Sequence, residues 1–227
     1  MPSASQLFSD TDRQQINSAV RAAEAGTAAE IVPVVATASG RYDRAEDILG
    51  LWLGIGLMIA ISVFWPPPTI VADSGSWESN PAALQPVKLI VAMLVGFILG
   101  AIIGSKVPVL RRLFTPRRQM LDEVRQTARS VFFDNRIHHT QAGGGLLIYV
   151  SLFEHIAVIL ADRQVVAAIG QPALDALCQN LTQQLRIAGT TTALCQTLQT
   201  AGEMLKPVLP RGADDVNELP DALVTID

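Results

Sequence analysis

ILGLWLGIGLMIAISVFW, residues 48–65, carries no charged side chain over 18 positions, and LIVAMLVGFILGAIIGS, residues 89–105, carries none over 17. As a helix the first run extends about 27 Å, close to the thickness of a bilayer's hydrocarbon core. Lys88 and Lys106 border the second run, and their long stems can lie along apolar surface while the ammonium groups reach the interfaces. Residues 66–87 between the runs are proline-rich and polar. The pattern predicts a two-helix transmembrane hairpin over residues 48–110, with helices at about 48–65 and 87–106. Both runs space small residues four apart, at Gly50 and Gly54 in the first and at Gly96, Gly100 and Gly104 in the second. Such stripes let helix backbones approach closely, either within one hairpin or, through Gly96, Gly100 and Gly104, in a homo-oligomer.

What remains, residues 1–47 and 111–227, is roughly 165 positions, the size of one ordinary domain split around the hairpin. The 49% apolar content is concentrated in the two runs, so the remainder has the composition of a soluble domain. A net charge of −4 leaves no broad basic face to displace counterions from phosphates, which excludes a nucleic-acid binder. Lys106, Arg111, Arg112, Arg117 and Arg118 cluster directly after the second run, where anionic lipid headgroups are the simplest partner. The intervening loop holds Asp73 and Glu78 and neither lysine nor arginine before Lys88, so the positive-inside rule places both soluble pieces in the cytoplasm. The N-terminus, MPSASQLFSDTDRQQ, has no basic stretch followed by an apolar one, and no cleavable signal peptide is expected. Cys178 and Cys195 have neither the number nor the spacing of a disulfide framework or a zinc site.

Along the soluble pieces, Ser9 and Asp12 form a capping-box pair at the start of a helix whose apolar face is Ile16, Ala19, Val20 and Ala23, and Gly26 ends it. Residues 30–37, EIVPVVAT, predict a strand, with Pro33 suggesting an edge or a bulge. Leu121, Val124, Ala128, Val131 and Phe132 mark one face of an amphipathic helix over about 119–138. After Gly143-Gly144-Gly145, residues 146–152 and 156–161 predict a β-hairpin turning at Phe153-Glu154-His155. Two leucine-faced helices follow, at 172–187 and 190–205, and then a polar tail in which Leu219, Leu223 and Val224 can dock.

Glu30 opens one predicted strand and Asp162 closes another, so strand pairing can bring two carboxylates to one edge of the sheet. A hard divalent cation is the cofactor such a pair would share with backbone carbonyls and water. Plainer roles are available for both, Glu30 at a solvated strand entry and Asp162 capping a helix that starts at Arg163. Neighbouring His138 and His139 diverge by about 100° on a helix and do not converge on one ion. The triple glycine precedes a strand, whereas a phosphate-cradling loop follows one and opens a helix. No serine–histidine–acid signature is present.

The order of GTAAEIVPVV strand, membrane hairpin, RR…TPRR segment, helix, GGGLLIYVSLFEHIAVILADRQV hairpin, paired helices and NELPD tail resembles the TPM domain family. That family takes its name from a thylakoid lumen phosphatase, a photosystem repair protein and a receptor modulator. The resemblance is to its bacterial membrane form, covers essentially the whole chain, and is most specific over residues 145–165 and at Asn217-Glu218-Leu219-Pro220-Asp221. It implies a three-layer α/β/α sandwich with a mixed sheet, formed by residues 1–47 and 111–227 and interrupted by the hairpin. It also implies, for some members, acid-phosphatase activity or a divalent ion in an acidic pocket. The chain departs from soluble members where the hairpin replaces the link from the first strand to the next helix, and no dense aspartate cluster stands there. The expectation is therefore a protein anchored in a bacterial inner membrane, an interaction or accessory factor for other membrane proteins. The alternative is a divalent-metal-assisted phosphatase using Glu30 and Asp162.

Overall fold

The computed structural model describes residues 3–42, 44–66, 84–139, 144–212 and 218–227. Asp73, Glu78, Gly143 and Asn217 lie outside the described residues, as does the His139 side chain. The chain divides into two compact units, Met1–Gly40 together with Arg117–Asp227, and Arg41–Pro116.

The first unit is a mixed α/β fold with a four-stranded open sheet. Its helices are α1 (Ala4–Leu7), α2 (Asp10–Glu24), α6 (Arg117–Asp134), α7 (Arg163–Ile169), α8 (Gln171–Ile187) and α9 (Thr190–Leu205). Its strands are β1 (Glu30–Ala36), β2 (Gly145–Ser151), β3 (Ile156–Ala161) and β4 (Val224–Ile226), in spatial order β3-β2-β1-β4. β1 is parallel to both β2 and β4, and β2 is antiparallel to β3. A parallel pair needs a crossover, whereas the β2–β3 pair needs only a tight turn, here containing His155 at φ 55°.

Side chains alternate across the pleat and build two cores. Ile31 and Val35 of β1 with Leu146, Ile148 and Val150 of β2 face α2, α7, α8 and α9, where Ile16, Val20, Leu181, Leu194 and Leu198 are fully buried. Val32, Val34 and Ala36 with Leu147 and Tyr149 face α6 through Val124, Ala128 and Phe132. This makes three layers, with β1 and β2 buried along their entire length. Helix α2 starts as its sequence dictates: Ser9 accepts from the Asp12 N–H at 3.2 Å, and Asp12 accepts from the Ser9 N–H at 3.0 Å.

Two expectations change. Pro33 lies in a central strand, paired with Ile148, and neither at an edge nor in a bulge. The fold accommodates it because β4 pairs only with Val34–Ala36, which leaves the β4 side of Pro33 outside the ladder where its missing N–H is tolerated. The tail docks as a strand, with its last residues bonded into the sheet: the Thr37 N–H donates to the Ile226 carbonyl at 2.8 Å.

The second unit contains α3 (Arg44–Phe64), α4 (Gln85–Lys106) and α5 (Pro108–Phe114). α3 and α4 pack along their glycines. A Cβ on Gly96 would lie 2.7 Å from the Gly54 Cα, and one on Gly100 would lie 2.7 Å from the Gly50 Cα and 2.6 Å from the Leu49 carbonyl oxygen. Gly96, Gly100 and Gly104 are thus buried within the helix pair. The outward residues are apolar and exposed, among them Trp52, Ile59, Val63, Ile90, Leu94 and Ile98 at 54–68%. Both helices are long and apolar enough to cross a membrane, with only 11% and 22% of their apolar windows buried. A core helix of a soluble protein would show the opposite, an apolar window hidden from solvent.

Candidate functional site

At the amino ends of β1 and β2 the chain assembles a carboxylate-lined pocket. Helix α2 delivers Glu24, 8% exposed, whose carboxyl accepts the Ile31 N–H at 2.7 Å as β1 begins. Thr27 and Ala28 fix that entry: the Thr27 hydroxyl and the Ala28 N–H both donate to the Leu209 carbonyl, at 2.6 and 2.9 Å. Glu30, also 8% exposed, accepts the Glu218 N–H at 3.1 Å, which draws the tail over the pocket. Asp221 of that tail faces Arg21 at 3.9 Å. Arg21, Glu24, Thr27, Ala29, Glu30, Arg211 and Asp221 line a cavity of about 230 Å³.

Burial pushes the Glu24 carboxyl up to about 8, the repulsion of Glu30 and Asp221 adding to it and the Ile31 N–H bond opposing it. Glu24 therefore releases its proton far less readily than an ordinary carboxyl, with the Asp221 charge nearby adding to the effect. The pocket thus sets the carboxyl groups of Glu24, Glu30 and Asp221 beside the guanidinium groups of Arg21 and Arg211.

The sequence-derived pair lies at this same end of the sheet. Gly145 pairs with Glu30, and the Asp162 N–H donates to the Gly145 carbonyl at 2.9 Å, so one strand separates the two acids. Two strand spacings put their backbones about 10 Å apart. A Cβ on Gly145 would lie 1.9 Å from the Ile137 carbonyl oxygen, so the space over that glycine is occupied by backbone. Asp162 caps α7, accepting from the Gln164 and Val165 N–H groups at 2.9 and 3.1 Å. The two carboxylates are not brought into a common ligand set. Among the described residues, no three His, Cys, Asp or Glu side chains are gathered as metal ligands. The Glu24–Glu30–Asp221 donors are hard oxygens of the kind calcium takes, but Arg21 and Arg211 share their wall, and the set does not fit a preformed cation site. His138 is exposed and stacks edge-on against Phe133, with centroids 4.8 Å apart.

Open α/β sheets carry their ligands outside the carboxyl ends of the strands. Here that end is filled by a polar network built around the turn between β2 and β3. Glu154, 2% exposed, accepts the Ser39 and Gly40 N–H groups at 2.8 and 3.2 Å, and the Ser151 hydroxyl donates to its other oxygen. Ser39 bonds the Tyr149 and Ser151 hydroxyls, each at 2.9 Å, and Thr127 of α6 donates to the Ser39 carbonyl at 2.9 Å. Burial raises the Tyr149 hydroxyl above the ordinary phenol range. On the adjoining corner Asp227 accepts from the Ser5 N–H and the Thr37 hydroxyl, at 3.0 and 3.1 Å. The polar groups at this end bond one another and hold the segment that follows β1.

No protein-family profile and no curated protein matches the chain. Among solved structures it is similar to the BA42 protein of the psychrophilic bacterium Bizionia argentinensis, determined by NMR, at a TM-score of 0.56 and 16% identity over 99% of each chain. The likeness is one of fold. It accords with the mixed α/β architecture described above and assigns no chemistry to the pocket.

Proposed function

We propose that the chain is a membrane-anchored, TPM-like protein of a bacterial inner membrane whose α/β unit acts as an interaction or accessory factor for other membrane proteins. The observation that carries this reading is the outward face of α3 and α4, apolar and exposed for the length of a bilayer core. Lipid is the solvent that face fits. The Lys88 ammonium lies 5.8 Å from the Trp65 ring centroid at the loop end of the pair, where aromatic and lysine anchors belong. The closed network around Glu154 favours an interaction role over catalysis, because it leaves the usual ligand end of the sheet engaged in structural bonds. The basic residues after α4, against the acidic loop, favour a cytoplasmic α/β unit.

The test is carbonate extraction of membranes, paired with a membrane-impermeant maleimide on a Gly75→Cys variant. Retention in the pellet with labelling from outside is expected. Release by carbonate overturns the anchor, and labelling only after lysis overturns the orientation. A cross-linking pull-down from membranes then identifies what the α/β unit contacts.

A second reading is a divalent-metal-assisted phosphatase using Glu30 and Asp162, which stand at one end of the sheet on either side of Gly145. It is tested with a generic phosphomonoester and Mg²⁺, Mn²⁺ or Ca²⁺. Turnover abolished by Glu30→Gln or Asp162→Asn would overturn the first reading. A melting temperature unmoved by all three ions would count against the second, since ligands selective for the folded state raise stability.

A further inference from the structure

The structure ends α4 abruptly. Val107 is extended, at φ −110° and ψ 95°, while its N–H still caps α4 by donating to the Ile103 carbonyl at 3.1 Å. Pro108 then opens a new helix, and a proline both disfavours helical geometry in the residue before it and suits the first helical position. α5 is therefore a separate segment. Val109 and Leu113, four residues apart and so on one face of it, are each 74% exposed. Arg111 and Arg112 lie between them in sequence, and Lys106, which precedes the break, is exposed.

We infer that α5 is an interfacial segment that seats Val109 and Leu113 among the acyl-chain ends and binds phospholipids of net negative headgroup through Lys106, Arg111 and Arg112. This rests on the membrane reading of α3 and α4. Two observations set the ligand. The exposed pair follows closely in the chain on the exposed apolar end of α4, where Ile102 and Ile103 are 47% and 44% exposed, and apolar side chains left exposed on both segments point to lipid. The charge points to acidic lipid: from Arg41 to Arg112, outside the loop, the segments flanking the helices hold Arg41, Arg44, Lys106, Arg111 and Arg112 against Asp43, Glu46 and Asp47, a surplus of two positive charges. Short segments with basic residues beside an apolar stripe lie in the interface plane and prefer anionic surfaces.

The experiment uses the full-length chain in nanodiscs of phosphatidylcholine alone or of phosphatidylcholine with phosphatidylglycerol, and reads amide hydrogen exchange across residues 108–114. Phosphatidylglycerol is expected to slow exchange several-fold, an effect lost at about 1 M salt, where the screening length is about 3 Å. Arg111→Gln/Arg112→Gln is expected to weaken the response by about fivefold per arginine, from the roughly 1 kcal/mol that each basic residue contributes near an anionic surface. Equal exchange in both lipids, or an unchanged response in the double variant, overturns the inference, as does protection produced by inorganic phosphate in phosphatidylcholine discs. Carbonate extraction of the same protein separates the two levels. Release of the wild-type chain sinks the membrane reading itself, whereas retention without a lipid-charge response sinks only the role of α5.

Discussion

Replacing Glu24 by Gln removes a buried group whose protonation couples the pocket to pH between 5 and 8. In the folded chain its carboxyl titrates near 8, against an ordinary 4.5. Within that window the folded state binds a proton that the unfolded state has released, so unfolding liberates a proton and stability falls as pH rises. The slope approaches 1.36 kcal/mol per pH unit, and the interval from 4.5 to about 8 gives a ceiling of about 4 to 5 kcal/mol. Asp12 and Asp227, both held below the usual aspartate range by hydroxyl and backbone donors, act with the opposite sign and only at pH below the model-peptide value of 3.8, outside the window. Gln keeps the shape of the protonated acid, still accepts the Ile31 N–H and can donate to Asp221. The variant should match wild type near pH 5, exceed it by a few kcal/mol near pH 8, and show a nearly flat profile between. Cys178 and Cys195, half-buried on α8 and α9, provide the readout: their pulse labelling in a urea series reports opening of the α/β unit, and a pyridyl disulfide reacts at both pH extremes. A flat wild-type profile, or an equal slope in the variant, would show that Glu24 is ionised when folded and that the pocket stores no proton.

Gly100→Leu drives a side chain against the Gly50 and Leu49 backbone, and should lower the stability of the α3–α4 pair by about 1 to 3 kcal/mol in a detergent-unfolding series followed by Trp52 and Trp65 fluorescence. Gly56→Leu, whose Cβ meets nothing within 4 Å, is the matched control and should leave that transition in place. Glu154→Ala strands the Ser39 and Gly40 N–H groups and the Ser151 hydroxyl, and should destabilise the α/β unit by about 3 kcal/mol in the cysteine-labelling assay. Ser9→Ala removes the α2 cap and should reduce stability by about 1 kcal/mol by the same measure, with Ser9→Asp restoring most of it.

The elements that were legible in the sequence are those with a long period or an explicit stop. The 18- and 17-residue apolar runs, the Ser9–Asp12 box and the leucine stripes of α8 and α9 each state their own structure. The β2–β3 hairpin was legible too, because two apolar runs flank a turn too short for anything else. β4 was not, because three residues give no period to read and its ladder partner is nearly 190 positions away in the chain. α5 was hidden by its position at the end of a longer apolar run, and only the Val107-Pro108 break separates it. The pocket was half legible. Glu30 was identified, but its neighbours come from the end of α2 and from the tail, and a helix-terminal Glu24 looks in sequence like any solvated acid. The burial of Glu154 was hidden for the same reason: Ser151-x-x-Glu154 reads as a solvated turn until Ser39 arrives from the segment after β1.

The polar network around Glu154 stands where the chain leaves the α/β unit for the inserted segment and comes back to it. The chain leaves the α/β unit after Gly40, four residues beyond the last residue of β1, and returns at Arg117. In an uninterrupted α/β unit the loop at that point is free to shape a ligand site. Here Ser39 and Gly40 are held by Glu154, and Ser39 again by Thr127 of the returning helix, so departure and return are fixed by one bonded cluster. A buried carboxylate meeting three donors tolerates little displacement, because each lost bond leaves a desolvated group unmet.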